Sequence, residues 1–163
     1  SSAGPFSVTV SFFPLRSYIE TDLPVANPLI RPIVSPYGDG TIYAVPPLRP
    51  DVTIVHAQRA DRSGNVQMWG ITGVQKEAVL AARRSLVTVE EVVDVLSPAP
   101  DQVVLPTWSV TAVAEVPGGA HPSYAMGYSV RDNDFYLAWD AISRDRATFA
   151  AWMQDNVVTG SRV

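Results

Sequence analysis

The chain has 163 residues, of which 47% are hydrophobic and 17% charged, a balance typical of a globular domain and unlike that of a disordered chain. Its net charge of −4 is unfavourable for binding nucleic acid or an anionic membrane surface, and its apolar runs are too short for a membrane span. The absence of cysteine excludes disulfides and thiolate chemistry, and we expect a cytoplasmic protein.

The first part of the chain predicts strands joined by proline-rich connections. Residues 6–13 alternate apolar side chains with Ser and Thr, which indicates a half-buried strand. Residues 16–36 are rich in proline, so we expect no helix there, only an extended segment with a short strand at 33–34. A turn at 37–40 and a strand at 41–45 follow.

A hairpin is predicted next. Two apolar strands, 53–57 and 66–69, flank a tight turn around Ser63 and Gly64. Both are apolar enough to be interior strands of a sheet. Turn chemistry alone accounts for the Asp and Asn side chains in the connection, which bond to nearby backbone groups.

Two helices are predicted after the hairpin, each from a capping-box spacing. The first begins at a Thr72 cap and ends at the arginines 83–84, where positive charge favours a helix C-terminus. A strand at 85–89 separates it from a second, short helix, in which Thr88 and Glu91 repeat the capping spacing.

The last part of the chain is predicted to end in helices. A strand at 102–105, an ambiguous segment at 106–114 and a glycine-containing loop at 117–122 precede a helical segment at about 131–157. Strands that alternate with helices indicate a layered α/β sheet. With no long linker, residues 1–163 are expected to form one domain or part of one.

The two histidines give no metal-binding pattern. His56 and His121 are far apart and lack an acidic or histidine neighbour at ligand spacing, so we expect no metal site. His56 ends a buried strand, which favours a hydrogen-bonded core histidine. His121 follows two glycines in a loop, where contact with a ligand is more plausible.

The adjacent carboxylates Glu90 and Glu91 invite an acid/base interpretation. Adjacent residues at a helix start do not face each other, so we favour Glu91 as a cap and Glu90 as structural or solvated. The Gly118-Gly119 turn can present backbone N–H groups to an anion. Neither a nucleotide-binding loop nor a serine nucleophile elbow is present in the sequence.

A family resemblance is carried first by residues 51–70. Ala60, Asp61, Gly64 and Asn65 match the Ala-Asp-x-x-Gly-Asn signature of family I coenzyme A transferases. Their flanks point more narrowly to the alpha subunit of the glutaconate CoA-transferase type. Further matching blocks follow in compatible order at 14–17, 21–24, 45–52, 73–78, 88–93, 105–106 and 115–124.

The resemblance implies a layered α/β sheet of the CoA-transferase (NagB/RpiA-like) type with flanking helices, an incomplete domain that lacks its N-terminal half. Such enzymes move CoA from an acyl-CoA to a carboxylic acid through covalent intermediates on a glutamate of the beta subunit. CoA is then a cosubstrate, and no permanently bound cofactor is implied. No catalytic residue is assigned to this chain, and neither Glu90 nor Glu115 is taken as the nucleophile.

The implied partners are the beta subunit, an N-terminal alpha segment and acyl-CoA, in a hetero-oligomer. A half-domain exposes sheet edges and apolar surface, so we expect this chain to be stable only with other polypeptide packed on it. Two alternatives stay open: a hydrolase of a cyclic or β-oxo acyl-CoA on the same scaffold, and a non-catalytic assembly subunit.

The resemblance also proposes residues that contact substrate. Arg16 and Gln58 are the preferred contacts for a carboxylate or the CoA arm, one as a bidentate donor and the other as a neutral donor. Asp61 and Asn65 are expected chiefly to fix the turn. The full set of substrate-binding candidates is Arg16, Ser17, His56, Gln58, Asn65, Gly118, Gly119 and His121.

Overall fold

The computed structural model describes residues 12–38 and 40–159, which form two β-sheets with flanking helices. The strands are β1 (Phe13–Leu15), β2 (Arg31–Val34), β3 (Thr41–Val45), β4 (Val52–Asp61), β5 (Val66–Met68), β6 (Arg84–Val93), β7 (Val103–Leu105) and β8 (Ala112–Glu115). The α-helices are α1 (Leu23–Ala26), α2 (Gln75–Ala81), α3 (Asn133–Arg144) and α4 (Arg146–Met153). A 3₁₀ turn at Thr107–Ser109 and a π-helical turn at Gln154–Val158 complete the secondary structure of these residues.

The larger sheet has five strands in the order β7-β5-β4-β6-β8. Strands β4, β6 and β8 are parallel, whereas β5 is antiparallel to both of its neighbours. The two long central strands pair in register from Val52 opposite Arg84 to Asp61 opposite Val93. This pairing buries an aliphatic core to which α2 contributes Val79.

The smaller sheet, in the order β1-β3-β2, is antiparallel. The predicted strand at 41–45 and the short strand at 33–34 are confirmed by β3 and β2. The predicted strand at 6–13 lies mostly outside the described residues, and its last residue, Phe13, begins β1. The prediction that prolines exclude a helix from 16–36 was wrong: Pro24 sits in the first turn of α1, where its missing N–H costs nothing.

The predicted short helix after residue 88 was also wrong. Residues 84–93 form one continuous strand, because valines at alternate positions bury one face against β4 and α2. Glu91 therefore caps no helix. Its carboxylate instead accepts hydrogen bonds from Arg59 Nε at 3.0 Å and from the Tyr128 hydroxyl at 2.7 Å.

Helix α2 was predicted in the right place but with the wrong ends. It begins at Gln75 without a side-chain cap, and Thr72 contributes only its carbonyl, which accepts the Gln75 N–H. It ends at Ala81, and Arg84 already belongs to β6. Because the sheet follows so closely, the chain leaves the helix before the two arginines can extend it.

The C-terminal helices are confirmed. An aromatic cluster joins α3 to α4: the rings of Phe135 and Trp139 stack at 5.8 Å, and Trp139 meets Trp152 edge-on at 4.8 Å. The ambiguous segment 106–114 resolves into the 3₁₀ turn and the start of β8. Among the helices of the described residues, none combines the length and apolar composition needed to cross a bilayer.

Candidate functional site

A cleft of about 420 Å³ opens beside the central strand β4. One wall is formed by β4 and the end of β5, another by the approach to α2, and a third by the loop that follows β8. The lining is mixed: aliphatic and sulfur-containing side chains alternate with a few polar groups and with glycine backbone. Three predicted site residues, His56, Gln58 and Gly119, lie in these walls.

His56 is held by two side chains of the neighbouring strand. In the parallel register His56 faces Thr88, and the two-residue period of a strand places Glu90 on the same face. His56 Nδ1 lies 2.8 Å from Thr88 Oγ1, and Nε2 lies 2.9 Å from Glu90 Oε1. Both ring nitrogens are therefore engaged within the protein, as expected for a hydrogen-bonded core histidine.

The Glu90 side chain is only 4% exposed, yet both of its oxygens have partners. Oε2 accepts the backbone N–H of Gly118 at 2.7 Å, while Oε1 faces His56. An ionised carboxylate only accepts, so the proton of the second bond lies on His56 Nε2, and the Thr88 hydroxyl serves Nδ1 whether it accepts or donates. We call His56, Thr88, Glu90 and Gly118 the cleft cluster.

The glycine turn packs directly on this cluster. A Cβ at Gly119 would lie 2.9 Å from the Val116 carbonyl oxygen and 3.0 Å from His56 Cε1, so no larger residue fits without displacing the turn. Gly118 has φ of +74°, a conformation that side chains disfavour. The two glycines thus let the loop backbone close over His56 and form the cleft wall.

Gln58 spends both ends of its amide on the neighbouring chain. Its Nε2 donates to the Trp69 carbonyl at 3.1 Å, and its Oε1 accepts the Trp69 N–H at 3.2 Å. The residue is buried and ties β4 to the end of β5 at the cleft. Its amide therefore holds the cleft wall in shape.

Asp61 and Asn65 fix the hairpin turn, as predicted. Asp61 accepts from the backbone N–H of Ser63 at 2.9 Å and from Asn65 Nδ2 at 2.8 Å. Burial raises the pKa of the Asp61 carboxyl, but the bonds from Asn65 and the turn amides outweigh it, so the pKa lies below its ordinary value. Asn65 Oδ1 accepts the Thr107 N–H at 3.0 Å, which joins the turn to the segment before β8.

The other predicted residues lie apart from the cleft walls. His121 is exposed, with Nε2 3.1 Å from Asp132 Oδ2 and its ring edge-on to Phe135. The Phe135 N–H and then His121 lower the pKa of the Asp132 carboxyl. Arg16 and Ser17 are exposed in the bend after β1 and do not line this cleft.

Sequence reasoning missed the roles of Thr88 and Glu90. A signal was present in the alternation of residues 85–93, where buried valines occupy odd positions and the polar residues Thr88 and Glu90 share the opposite face. Within the part of the chain that the structure describes, no group of three or more His, Asp or Glu side chains is arranged to hold a metal ion.

Residues 26–116, more than half of the chain, match the family model for coenzyme A transferase. The chain belongs to the coenzyme A transferase family. Members of this family use CoA as a cosubstrate. Known proteins that resemble the whole chain narrow the comparison further.

The chain is 55% identical over 162 residues to the alpha subunit of 3-oxoadipate CoA-transferase from Pseudomonas knackmussii, covering 99% of this chain and 55% of that protein. It is 32% identical over 155 residues to the cholesterol ring-cleaving hydrolase IpdA subunit of Mycobacterium tuberculosis, covering 88% of this chain and 52% of that protein. The chain thus spans about half the length of the curated relatives it matches.

The solved structure of glutaconate coenzyme A-transferase from Acidaminococcus fermentans superposes with a TM-score of 0.78 at 26% identity. The match covers 89% of this chain and 51% of that chain. It confirms the predicted layered α/β fold of the CoA-transferase type and the resemblance to the glutaconate enzyme's subunit.

Proposed function

We propose that this chain forms part of the alpha subunit of a heteromeric CoA-transferase, which moves CoA from an acyl-CoA to a free carboxylic acid. The 55% identity to the corresponding subunit of 3-oxoadipate CoA-transferase, over 99% of this chain, carries the proposal. It also suggests the acceptor class: 3-oxoadipate or a similar 3-oxo dicarboxylic acid.

The nucleophile is proposed to be a glutamate of a partner beta subunit. Its carboxylate attacks the thioester carbonyl, which releases CoA thiolate and leaves an acyl-glutamyl anhydride. The thiolate then attacks the glutamyl carbonyl of the anhydride and frees the donor acid, and the acceptor carboxylate later enters by the reverse steps. Glu90 is unsuited to the role because His56 and Gly118 occupy its oxygens.

The cleft beside β4 is proposed to hold part of the acyl-CoA. Its mixed lining suits an extended ligand with apolar and amide portions, and the Gly118-Gly119 turn lets such a ligand approach the backbone closely. His56 and Gln58 support this wall. Outside it, the remaining proposed contacts to substrate or to the subunit interface are Arg16, Ser17, Asn65 and His121.

Other polypeptide is proposed to cover the exposed sheet face next to the cleft. Ile54 and Leu86 pair across β4 and β6, and they are 71% and 40% exposed. Such apolar surface marks an interface. We assign it to the half of the alpha subunit that the relatives possess beyond the matched region, with the beta subunit completing a cytoplasmic hetero-oligomer.

The test uses the complete complex, purified through its beta subunit. It is incubated with short acyl-CoA donors, such as acetyl-CoA and succinyl-CoA, with and without 3-oxoadipate. Loss of donor that requires the acid and yields its CoA thioester supports the transferase. Loss without the acid supports a hydrolase, the alternative favoured by 32% identity to the IpdA subunit. Full activity after removal of this chain supports an assembly subunit.

A further inference from the structure

The Glu90 carboxylate lies between the sheet and the loop that closes the cleft. It is anchored on β6, one oxygen faces His56 of β4 at 2.9 Å, and the other holds the Gly118 N–H at 2.7 Å. A buried carboxylate is costly unless its oxygens are fully paired, and here both are. The position of the glycine turn relative to β4 is thus set by one side chain.

The turn has little freedom once this bond is made. Its own backbone bonds, from Gly119 N to the Val116 carbonyl and from His121 N to the Gly118 carbonyl, make it a compact unit. Gly119 already lies against the His56 ring at the closest approach that a glycine permits. Displacement of Gly118 would therefore move the whole cleft wall.

We propose that Glu90 is a positioning residue, which fixes the Gly118-Gly119 turn as the wall against which the acyl-CoA is aligned for reaction. Glu90 touches no substrate in this role and acts through the Gly118 amide. The inference rests on the proposed acyl-CoA function of the cleft. It goes further by assigning the alignment to one buried carboxylate, which the sequence pattern had left as structural or solvated.

Three variants of the full complex test the proposal. Glu90→Ala removes the hold on the turn, and Gly119→Ala pushes the turn off His56 while leaving Glu90 in place. We expect each to lower kcat by about 10- to 100-fold per assembled complex, with a much smaller change in KM, because an ångström of misalignment has that effect on reaction geometry. The double variant is expected to lose no more than the worse single variant.

Glu90→Gln separates position from charge. Its amide oxygen can accept the Gly118 N–H, and its amide nitrogen can donate to His56 Nε2 once the ring proton moves to Nδ1 and is donated to Thr88. We therefore expect Glu90→Gln to retain kcat within about threefold of wild type, a difference well under 1 kcal/mol. A merely structural loss would instead follow the fraction of assembled complex and leave kcat per complex unchanged.

Gly38→Ala is the matched control, since Gly38 also has a positive φ, of +80°, but a Cβ there meets nothing within 4 Å. Wild-type kcat in Gly119→Ala, multiplying losses in the double variant, or equal losses in Glu90→Gln and Glu90→Ala would each overturn the proposal. Should Glu90→Ala fail to assemble, Gly119→Ala and Glu90→Gln still decide. If wild-type complex transfers no CoA, the proposed function fails by itself, and the same variants are ranked by their affinity for acetyl-CoA.

Discussion

Glu90 and Glu91 are neighbours in the chain, yet they serve opposite faces of the same sheet. Glu90 is almost fully buried in the cleft cluster, whereas the Glu91 side chain is 43% exposed. Glu91 belongs to what we call the Tyr128 cluster, in which Arg59, Trp69 and Tyr128 surround it on the other face.

The difference between the clusters is one of solvent rather than of bond geometry. Glu91 accepts from Arg59 at 3.0 Å and from Tyr128 at 2.7 Å, distances much like those around Glu90. Water screens the exposed pair and can replace either partner, so little is lost when one is removed. A buried carboxylate has no such substitute, and losing a partner leaves its desolvation uncompensated.

The largest expected effect tests the buried side of this comparison. His56→Ala leaves the Glu90 carboxylate buried with a single donor, and we expect a loss of roughly 3–5 kcal/mol in the free energy of unfolding. Guanidinium unfolding of the purified complex measures it. Arg59→Ala, which removes the basic partner of Glu91, is the control and is expected to change the unfolding midpoint far less. Equal losses in the two variants would contradict the comparison.

The same pair of clusters explains where prediction from the sequence succeeded and failed. The hairpin around Gly64 was predictable because its Asp61 and Asn65 chemistry is local. Thr88 and Glu91 have capping-box spacing, which suggested a helix. In a strand three residues lead to the opposite face, so Thr88 shares its face with Glu90 instead.

The pairing of His56 with Glu90 was beyond sequence reasoning for a different reason. The two residues are 34 positions apart and meet only because β4 and β6 pair in one particular parallel register. That register is set by burial of the whole sheet and by α2, which no local pattern encodes. A residue such as Glu90 then looks solvated in the sequence although it is buried in the fold.

A smaller effect sharpens the account of the cleft cluster. Thr88→Val keeps the shape of the side chain but removes the hydroxyl partner of His56 Nδ1, and we expect a loss of roughly 1–3 kcal/mol. Thr53→Val is the matched control, because Thr53 donates one neutral bond to the Ala78 carbonyl at 3.0 Å outside the cluster. Chemical unfolding of both variants should rank Thr88 above Thr53. The opposite ranking would mean that the Nδ1 bond contributes nothing special.

The smallest effect concerns the exposed cluster and depends on pH. The Tyr128 hydroxyl and then Arg59 lower the pKa of the Glu91 carboxyl against the opposing effect of burial. A carboxyl with a lowered pKa in the folded state stabilises the fold above its ordinary pKa of about 4.3, and this contribution is lost as the pH falls through the lowered value.

Tyr128→Phe removes the contact that lowers the Glu91 pKa most, so we expect a modest drop in the melting temperature at pH 7 that shrinks as the pH falls below about 4.3. About 1 M salt at pH 7 should shrink the same gap, since exposed charges are screened. Tyr136→Phe provides the control, because Tyr136 and Tyr128 are equally exposed, at 37%, and the Tyr136 ring packs on Phe135 and Arg131. A gap that persists unchanged through acid and salt would show that Tyr128 stabilises the fold by packing, and the contrast between the two faces of the sheet would then rest on the cleft cluster alone.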